Sequence, residues 1–252
     1  MIFDTHAHYD AEQFDADRDA VLSGLPEKGV GLVVDPGCDE GSSLAAISLA
    51  ERYDHVNAAV GWHPEEWESW TGESMARIRA MASEPKVVAI GEVGLDYYWD
   101  TEHKALQREM FERQLCLAIE RSLPVIVHDR EAHADCLELV SCYPEARGVF
   151  HCFSGSPEMA RELLGRGWYL GFDGPVTYKN NKKAARVLEV TPPERILVET
   201  DSPYMAPEPV RGRRNDSANL KYVIAAIARM KGMDPAELER VTWENGRRLF
   251  GI

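Results

Sequence analysis

The chain has no apolar run near the ~18–20 residues needed to cross a bilayer, which excludes a helical membrane span. It has no CxxC pair. Its five cysteines, Cys38, Cys116, Cys136, Cys142 and Cys152, form an odd, scattered set, expected to be free thiols of a reducing cytoplasm. The opening Met1-Ile2-Phe3-Asp4-Thr5-His6 has neither the basic region nor the apolar stretch of an export signal, so a cytoplasmic location is expected. Basic charge is scarce: 28 Lys and Arg stand against 42 Asp and Glu, a net charge of −14. Such a chain repels nucleic acid on average, so a polyanionic substrate would need local positive charge from a bound metal or a clustered basic loop. With 44% apolar and 28% charged residues, disorder over most of its 252 residues is excluded.

No composition break, Ser/Gly linker, low-complexity tract or repeat divides the chain, so residues 1–252 are expected to form one domain. Eight short, β-branched-rich runs read as strands: Met1–His6, Gly31–Gly37, Val56–Gly61, Val87–Gly91, Pro124–His128, Gly148–His151, Trp168–Gly171 and Ile196–Glu199. They are nearly continuous apolar segments, as parallel strands buried on both faces should be. Helical spacing fits Asp15–Leu25, Ser42–Tyr53, Glu102–Arg121, Ala132–Cys142, Pro157–Gly165, Lys182–Glu189, Ala218–Lys231 and Pro235–Leu249, the last with Asp234 as N-cap and Pro235 in the first turn. Repeated β-then-α units in about 250 residues predict an α/β fold, a (β/α)8 TIM barrel. A doubly wound open sheet would show a Gly-rich phosphate loop, and the chain has no GxGxxG or Walker motif.

In such a barrel, functional residues sit at the C-terminal ends of the strands. Here those ends read Asp4-Thr5-His6-Ala7-His8, Gly61-Trp62-His63-Pro64, Gly91-Glu92-Val93-Gly94-Leu95-Asp96-Tyr97, Val127-His128-Asp129, Phe150-His151-Cys152 and Glu199-Thr200-Asp201-Ser202-Pro203. A lone histidine after an apolar run is usually a hydrogen-bonded structural residue. A His-x-His pair on a strand is different, because residues i and i+2 point to one face and can hold one ion. Five of the eight histidines fall on the same rim, which independent structural histidines would not do. His6, His8, Glu92, His128, His151 and Asp201 are therefore expected metal ligands, too many for one open tetrahedral site. Two divalent cations about 3.5–4 Å apart, bridged by Glu92, would activate a shared water, with Asp201 as ligand and proton acceptor. Histidine and carboxylate donors without cysteine suit Zn²⁺ or Mn²⁺, and Mg²⁺ fits a four-histidine centre less well.

These motifs resemble the TatD family of metal-dependent hydrolases and deoxyribonucleases, and the likeness runs from residue 1 to Asn245-Gly246-Arg247-Arg248-Leu249-Phe250. The resemblance implies a two-metal TIM barrel. His6, His8, Glu92 and Asp201 would hold one metal, and Glu92, His128 and His151 the other. His63 would face the substrate. The implied reaction is hydrolysis of DNA phosphodiesters, often 3′-to-5′ on single strands, commonly supported by Mg²⁺. Gly171-Phe172-Asp173-Gly174 departs from the family's more usual Gly-Phe-Thr-Gly and adds negative charge near the rim.

Two basic clusters, Lys179-Asn180-Asn181-Lys182-Lys183 and Arg211-Gly212-Arg213-Arg214, follow the last two strands, where barrels often bind phosphate. Lys179, Arg211, Arg213 and Arg214 are thus candidate substrate contacts, as solvated surface charges otherwise. Tyr97, Tyr98, Trp99 and Trp62 are candidates to stack on a base, or to pack the lip. Gln107, Phe111 and Gln114 share one helix face expected to pack and orient against the barrel. His55, His103 and His133 fall away from strand ends and carry no expected chemistry. The expected partner is DNA or another phosphoester, with no membrane and no obligate protein partner, on a compact barrel able to work as a monomer. A small-molecule phosphoesterase, lactonase or amidohydrolase on the same centre is the alternative, favoured by the acidic charge. A non-enzymatic metal-binding protein would have no use for a spare proton-accepting carboxylate.

Overall fold

Eight parallel strands, paired in chain order, carry the architecture of the computed structural model, which describes residues 1–252. They are β1 (Ile2–Asp4), β2 (Val30–Pro36), β3 (Val56–Val60), β4 (Val87–Asp96), β5 (Val125–Arg130), β6 (Gly148–Phe150), β7 (Tyr169–Phe172) and β8 (Ile196–Val198). The seam between β8 and β1 is closed by Thr5 N–H to the Val198 carbonyl at 3.2 Å and Asp201 N–H to His6 at 2.9 Å. Beyond it, His8 N–H donates to Ser202 at 2.8 Å, next to a parallel bridge between Ala7 and Ser202. Asp4 pins the same seam by accepting from the Thr200 hydroxyl at 2.6 Å and its amide at 3.0 Å.

Nine helices surround the sheet: α1 (Arg18–Gly24), α2 (Glu40–Arg52), α3 (Ser74–Met81), α4 (Lys104–Arg121), α5 (His133–Cys142), α6 (Pro157–Gly165), α7 (Lys182–Val190), α8 (Leu220–Lys231) and α9 (Pro235–Phe250). This is the expected (β/α)8 barrel. Asp234 caps α9 as expected, accepting from Ala236 and Glu237 N–H. No helix is long and apolar enough to cross a membrane, and all five cysteines are free.

The strand alternation sorts side chains into two cores. One cluster takes Phe3, Val34, Ala59, Val88, Ala89, Ile126, Val149, Tyr169 and Leu197 from the eight strands and fills the barrel interior, with Leu249 and Phe250 of α9 at its base. The larger cluster lies between strands and helices. Gly246 lets α9 approach: a Cβ there would sit 2.5 Å from the Phe3 ring.

Several boundaries differ from the sequence reading. β1 stops at Asp4, so His6 and His8 lie on the seam segment rather than in a regular strand. β4 continues past Gly91 to Asp96, because buried Val93 and Leu95 prolong the ladder with β5 as far as the Asp96–Arg130 pair. Gly94 permits this, having φ +146° and space for no Cβ against the His128 carbonyl. Helix α3 was not legible, since it is short and buries little beyond Ile78 and Met81.

Candidate metal centre

Inward-facing positions just above the interior core bring the rim residues together. Val149 leads two residues on to His151, Ile126 to His128, and Leu197 to Glu199 and Asp201. Glu92, buried on β4, is the hub. Its Oε1 lies 2.7 Å from His151 Nε2, 2.9 Å from His128 Nδ1 and 3.5 Å from His63 Nε2. Its Oε2 lies 3.3 Å from His6 Nε2 and 3.5 Å from His8 Nε2. Asp201 Oδ1 faces the same two nitrogens at 3.7 and 3.6 Å. His6 and His8 Nε2 are 3.0 Å apart, and the His6 ring stacks on His151 at 4.0 Å. All six expected ligands and His63 therefore meet in one cluster, although β1 itself ends earlier than expected.

Hydrogen bonds fix how the rings present themselves. The Pro36 carbonyl lies 3.1 Å from His8 Nδ1 and can only accept, so Nδ1 carries the proton and Nε2 offers its lone pair to the cluster. His63 is the reverse: its Nδ1 accepts from Glu65 N–H at 3.2 Å. The neutral ring then carries its proton on Nε2, beside Glu92, which suits a hydrogen-bond donor better than a ligand.

The electrostatics follow from burial and crowding. Burial opposes charge on Glu92, but His151, His6 and His63 outweigh it and hold the carboxyl well below its usual range. Burial, reinforced by His151, pushes His6 down to about 4. Burial also works against His128, but Asp96 and Glu92 on its two nitrogens push it up to about 10. Asp201 stays low despite burial through its contact with His8. Asp201 adopts φ +53°, a left-handed backbone costing of order 1–3 kcal/mol and held by the bonds to His6 and Tyr204.

The donor set fits a cation. His6, Glu92 and His151 offer ligand atoms within 4.8 Å of one another, as do His6, His8 and Asp201, and His63, Glu92 and His128. The Nδ1 atoms of His6 and His151 are buried without any hydrogen-bond partner. The Nε2 atoms of both rings face Glu92, and a buried carboxylate ringed by imidazole lone pairs is costly unless positive charge joins it.

Asp96 was missed as a site residue. It is fully buried on β4, and its Oδ2 lies 2.9 Å from His128 Nε2. Its even spacing from Glu92 on one strand was the available signal. Glu199 was also missed; its carboxyl accepts from Cys152 N–H and lies 3.7 Å from His151 Nδ1. The two glutamines of α4 do orient the rim. Gln107 brackets Asp96 through its amide at 3.0 Å and carbonyl at 3.1 Å, and Gln114 does the same for Trp62 at 2.7 and 3.0 Å.

Other candidates separate. Lys179 and Arg211 share a groove of ≈ 630 Å³ with Tyr178 and Glu208, and Arg211 lies over the Tyr178 ring at 4.2 Å. Arg213 is exposed and has no carboxylate within 4.0 Å. Arg214 is not free for phosphate: both its terminal nitrogens lie 2.7 Å from Asp17, and it covers Phe14. Tyr97 turns away, its hydroxyl donating to Asp135 at 2.7 Å. Trp62 is 3% exposed and belongs to the core. His103 stacks on Trp67 and His133 bonds Asp129, and neither joins the Glu92 cluster.

A (β/α)8 barrel with this histidine–carboxylate cluster at the C-terminal ends of its strands defines a metal-dependent hydrolase. The family model described as TatD related DNase matches residues 3–251, and the chain belongs to that family. It is 43% identical over 254 residues to "Uncharacterized metal-dependent hydrolase YabD" of Bacillus subtilis, covering 100% of both chains. It is 38% identical over 256 residues to "3′-5′ ssDNA/RNA exonuclease TatD" of Cronobacter sakazakii, covering 99% of this chain and 97% of the relative. The crystal structure of YjjV, a TatD homologue from Escherichia coli, superposes with TM-score 0.94 at 29% identity, covering 100% of this chain and 98% of that one. The chain is accordingly an enzyme acting on ester bonds.

Proposed function

We propose that this hydrolase removes nucleotides from the 3′ end of single-stranded DNA, and that its centre takes two divalent cations. The convergence of four histidines on buried Glu92, with Asp201 facing His6 and His8, carries this reading. Support for the substrate comes from the 38% identical relative named as a 3′-5′ ssDNA/RNA exonuclease. His6, His8, Glu92 and Asp201 would hold one cation and Glu92, His128 and His151 the other. When bound, the pair supplies an activated water and neutralises charge on the scissile phosphate.

The chain's own residues do the rest. Asp201, kept ionised by its histidine neighbours, accepts a proton from the attacking water. His63 offers its Nε2 proton to a phosphate oxygen. Asp96 holds His128 in one orientation. Lys179 and Arg211 bind phosphates along their groove and locally offset the acidic surface.

The test uses single-stranded DNA labelled at either end, with Mg²⁺, Mn²⁺, Zn²⁺ or EDTA. The expected result is metal-dependent shortening from the 3′ end, absent with Glu92→Gln and Asp201→Asn. No cleavage by folded, metal-loaded protein would move the same centre to a small-molecule ester.

A further inference from the structure

Tyr98 and Trp99 are 56% and 63% exposed, among the most exposed large hydrophobic side chains of the protein. They are not loose on the surface. Their rings meet edge-on at 4.8 Å, and the Arg130 guanidinium lies 4.1 Å from the Tyr98 centroid and 5.4 Å from that of Trp99. Arg130 has no carboxylate within 4.0 Å, which is notable on a chain of net charge −14. It ends β5, pairs with Asp96 across the ladder, and follows Ile126 and His128 on the inward-facing alternation of the strand. The group therefore stands at the same rim as the metal centre, two residues beyond His128 along β5.

One side chain ties the two together. Asp96 Oδ1 accepts the Tyr98 and Trp99 amides, both at 2.9 Å, while its Oδ2 lies 2.9 Å from His128. An aromatic pair that only packed the lip would be covered, as Trp62 is. Leaving both rings in water forgoes their burial energy, so an occupant that stacks on them gains it.

We propose that Tyr98, Trp99 and Arg130 form the stacking platform for an unpaired base next to the scissile bond, with Arg130 facing the adjoining phosphate. The ligand class is single-stranded nucleic acid, because every base has a π-face but only an unpaired one can lie on a ring. This rests on the reading of the enzyme as a nuclease and assigns it a binding subsite. It also makes substrate length matter: a strand long enough to cover the platform binds better than one that stops at the centre.

The test is binding of as-purified protein to a fluorescein-labelled, phosphorothioate-linked oligothymidylate, which resists hydrolysis, followed by anisotropy. Trp99→Ala is expected to weaken binding roughly tenfold to a hundredfold, and Trp99→Phe to retain most of it. Arg130→Gln should lower the slope of log K against log salt by about one. A duplex hairpin of equal length should compete poorly. The proposal is overturned if Trp99→Ala and Arg130→Gln both bind as wild type, or if the hairpin binds as tightly as the single strand. Because nothing is cleaved, the outcomes separate. Binding through Trp99 with no cleavage of natural DNA would sink the nuclease reading and keep the platform, whereas cleavage with unaltered binding in both variants would do the reverse.

Discussion

At the N-terminal ends of the strands, Phe3 packs against Phe250 at 5.7 Å and against Trp243 at 6.2 Å. Only a few residues further along the chain, His6 stacks on His151 at 4.0 Å with Glu92 beside both. The lower contact is apolar and close enough to require Gly246. The upper one crowds two imidazoles against a carboxylate and leaves polar atoms unpaired. Buried side-chain atoms without partners include His6 Nδ1, His151 Nδ1, Ser202 Oγ and both oxygens of Asp35, all near the C-terminal rim; His55 Nε2 lies at the other end. Each such group costs about 1–3 kcal/mol. One end of the barrel is thus optimised for stability, and the other gives up stability to hold a centre.

The sharpest break of this contrast is Glu92→Gln. We expect kcat to fall about a thousandfold or more, with the metal-free melting temperature equal to or above wild type. A variant that unfolded would show instead that Glu92 is a structural residue. At the opposite end, Phe3→Ala should cost about 3–5 kcal/mol by denaturant titration, while kcat per folded molecule is unchanged. Loss of kcat there would mean that the two ends are not independent. Asp96→Asn should lower metal affinity about 10–100-fold by calorimetric titration, with little change in fold.

A smaller effect concerns pH. Asp173 is buried on the rim, where burial and the nearby Asp201 push its carboxyl from 3.8 to about 7. The folded chain then keeps a proton that the unfolded chain releases, so stability falls as pH rises from about 4 to about 7. Asp173→Asn should flatten that slope by its own share and add about 1–3 kcal/mol at pH 8 relative to wild type. Denaturation midpoints at pH 5 and pH 8 decide it; parallel changes in both proteins would exclude Asp173 as the cause.

Much of this was legible in the sequence because barrels write function at strand ends. Apolar runs located the strands, and the ends of those runs with the residues just after them contained all six expected ligands. The His6–His8 pair was found through strand geometry, yet the actual support is the seam with Ser202. Contacts between distant segments left no local signature. Nothing around Arg214 announces Asp17, 197 residues away, and nothing around Asp96 announces His128. Exposure was equally hidden: Trp62 and Trp99 both border rim motifs, and only packing tells the buried ring from the exposed one.

The seam between β8 and β1 has a consequence for biosynthesis. His6 and His8 are synthesised before β2, but Asp201 and the Asp4–Thr200 clasp come only after seven further strands. During translation the early histidines have no completed cage. A chain truncated before Thr200 would keep five of the six expected ligands but lose Asp201 and the clasp that fixes the His6 segment against β8.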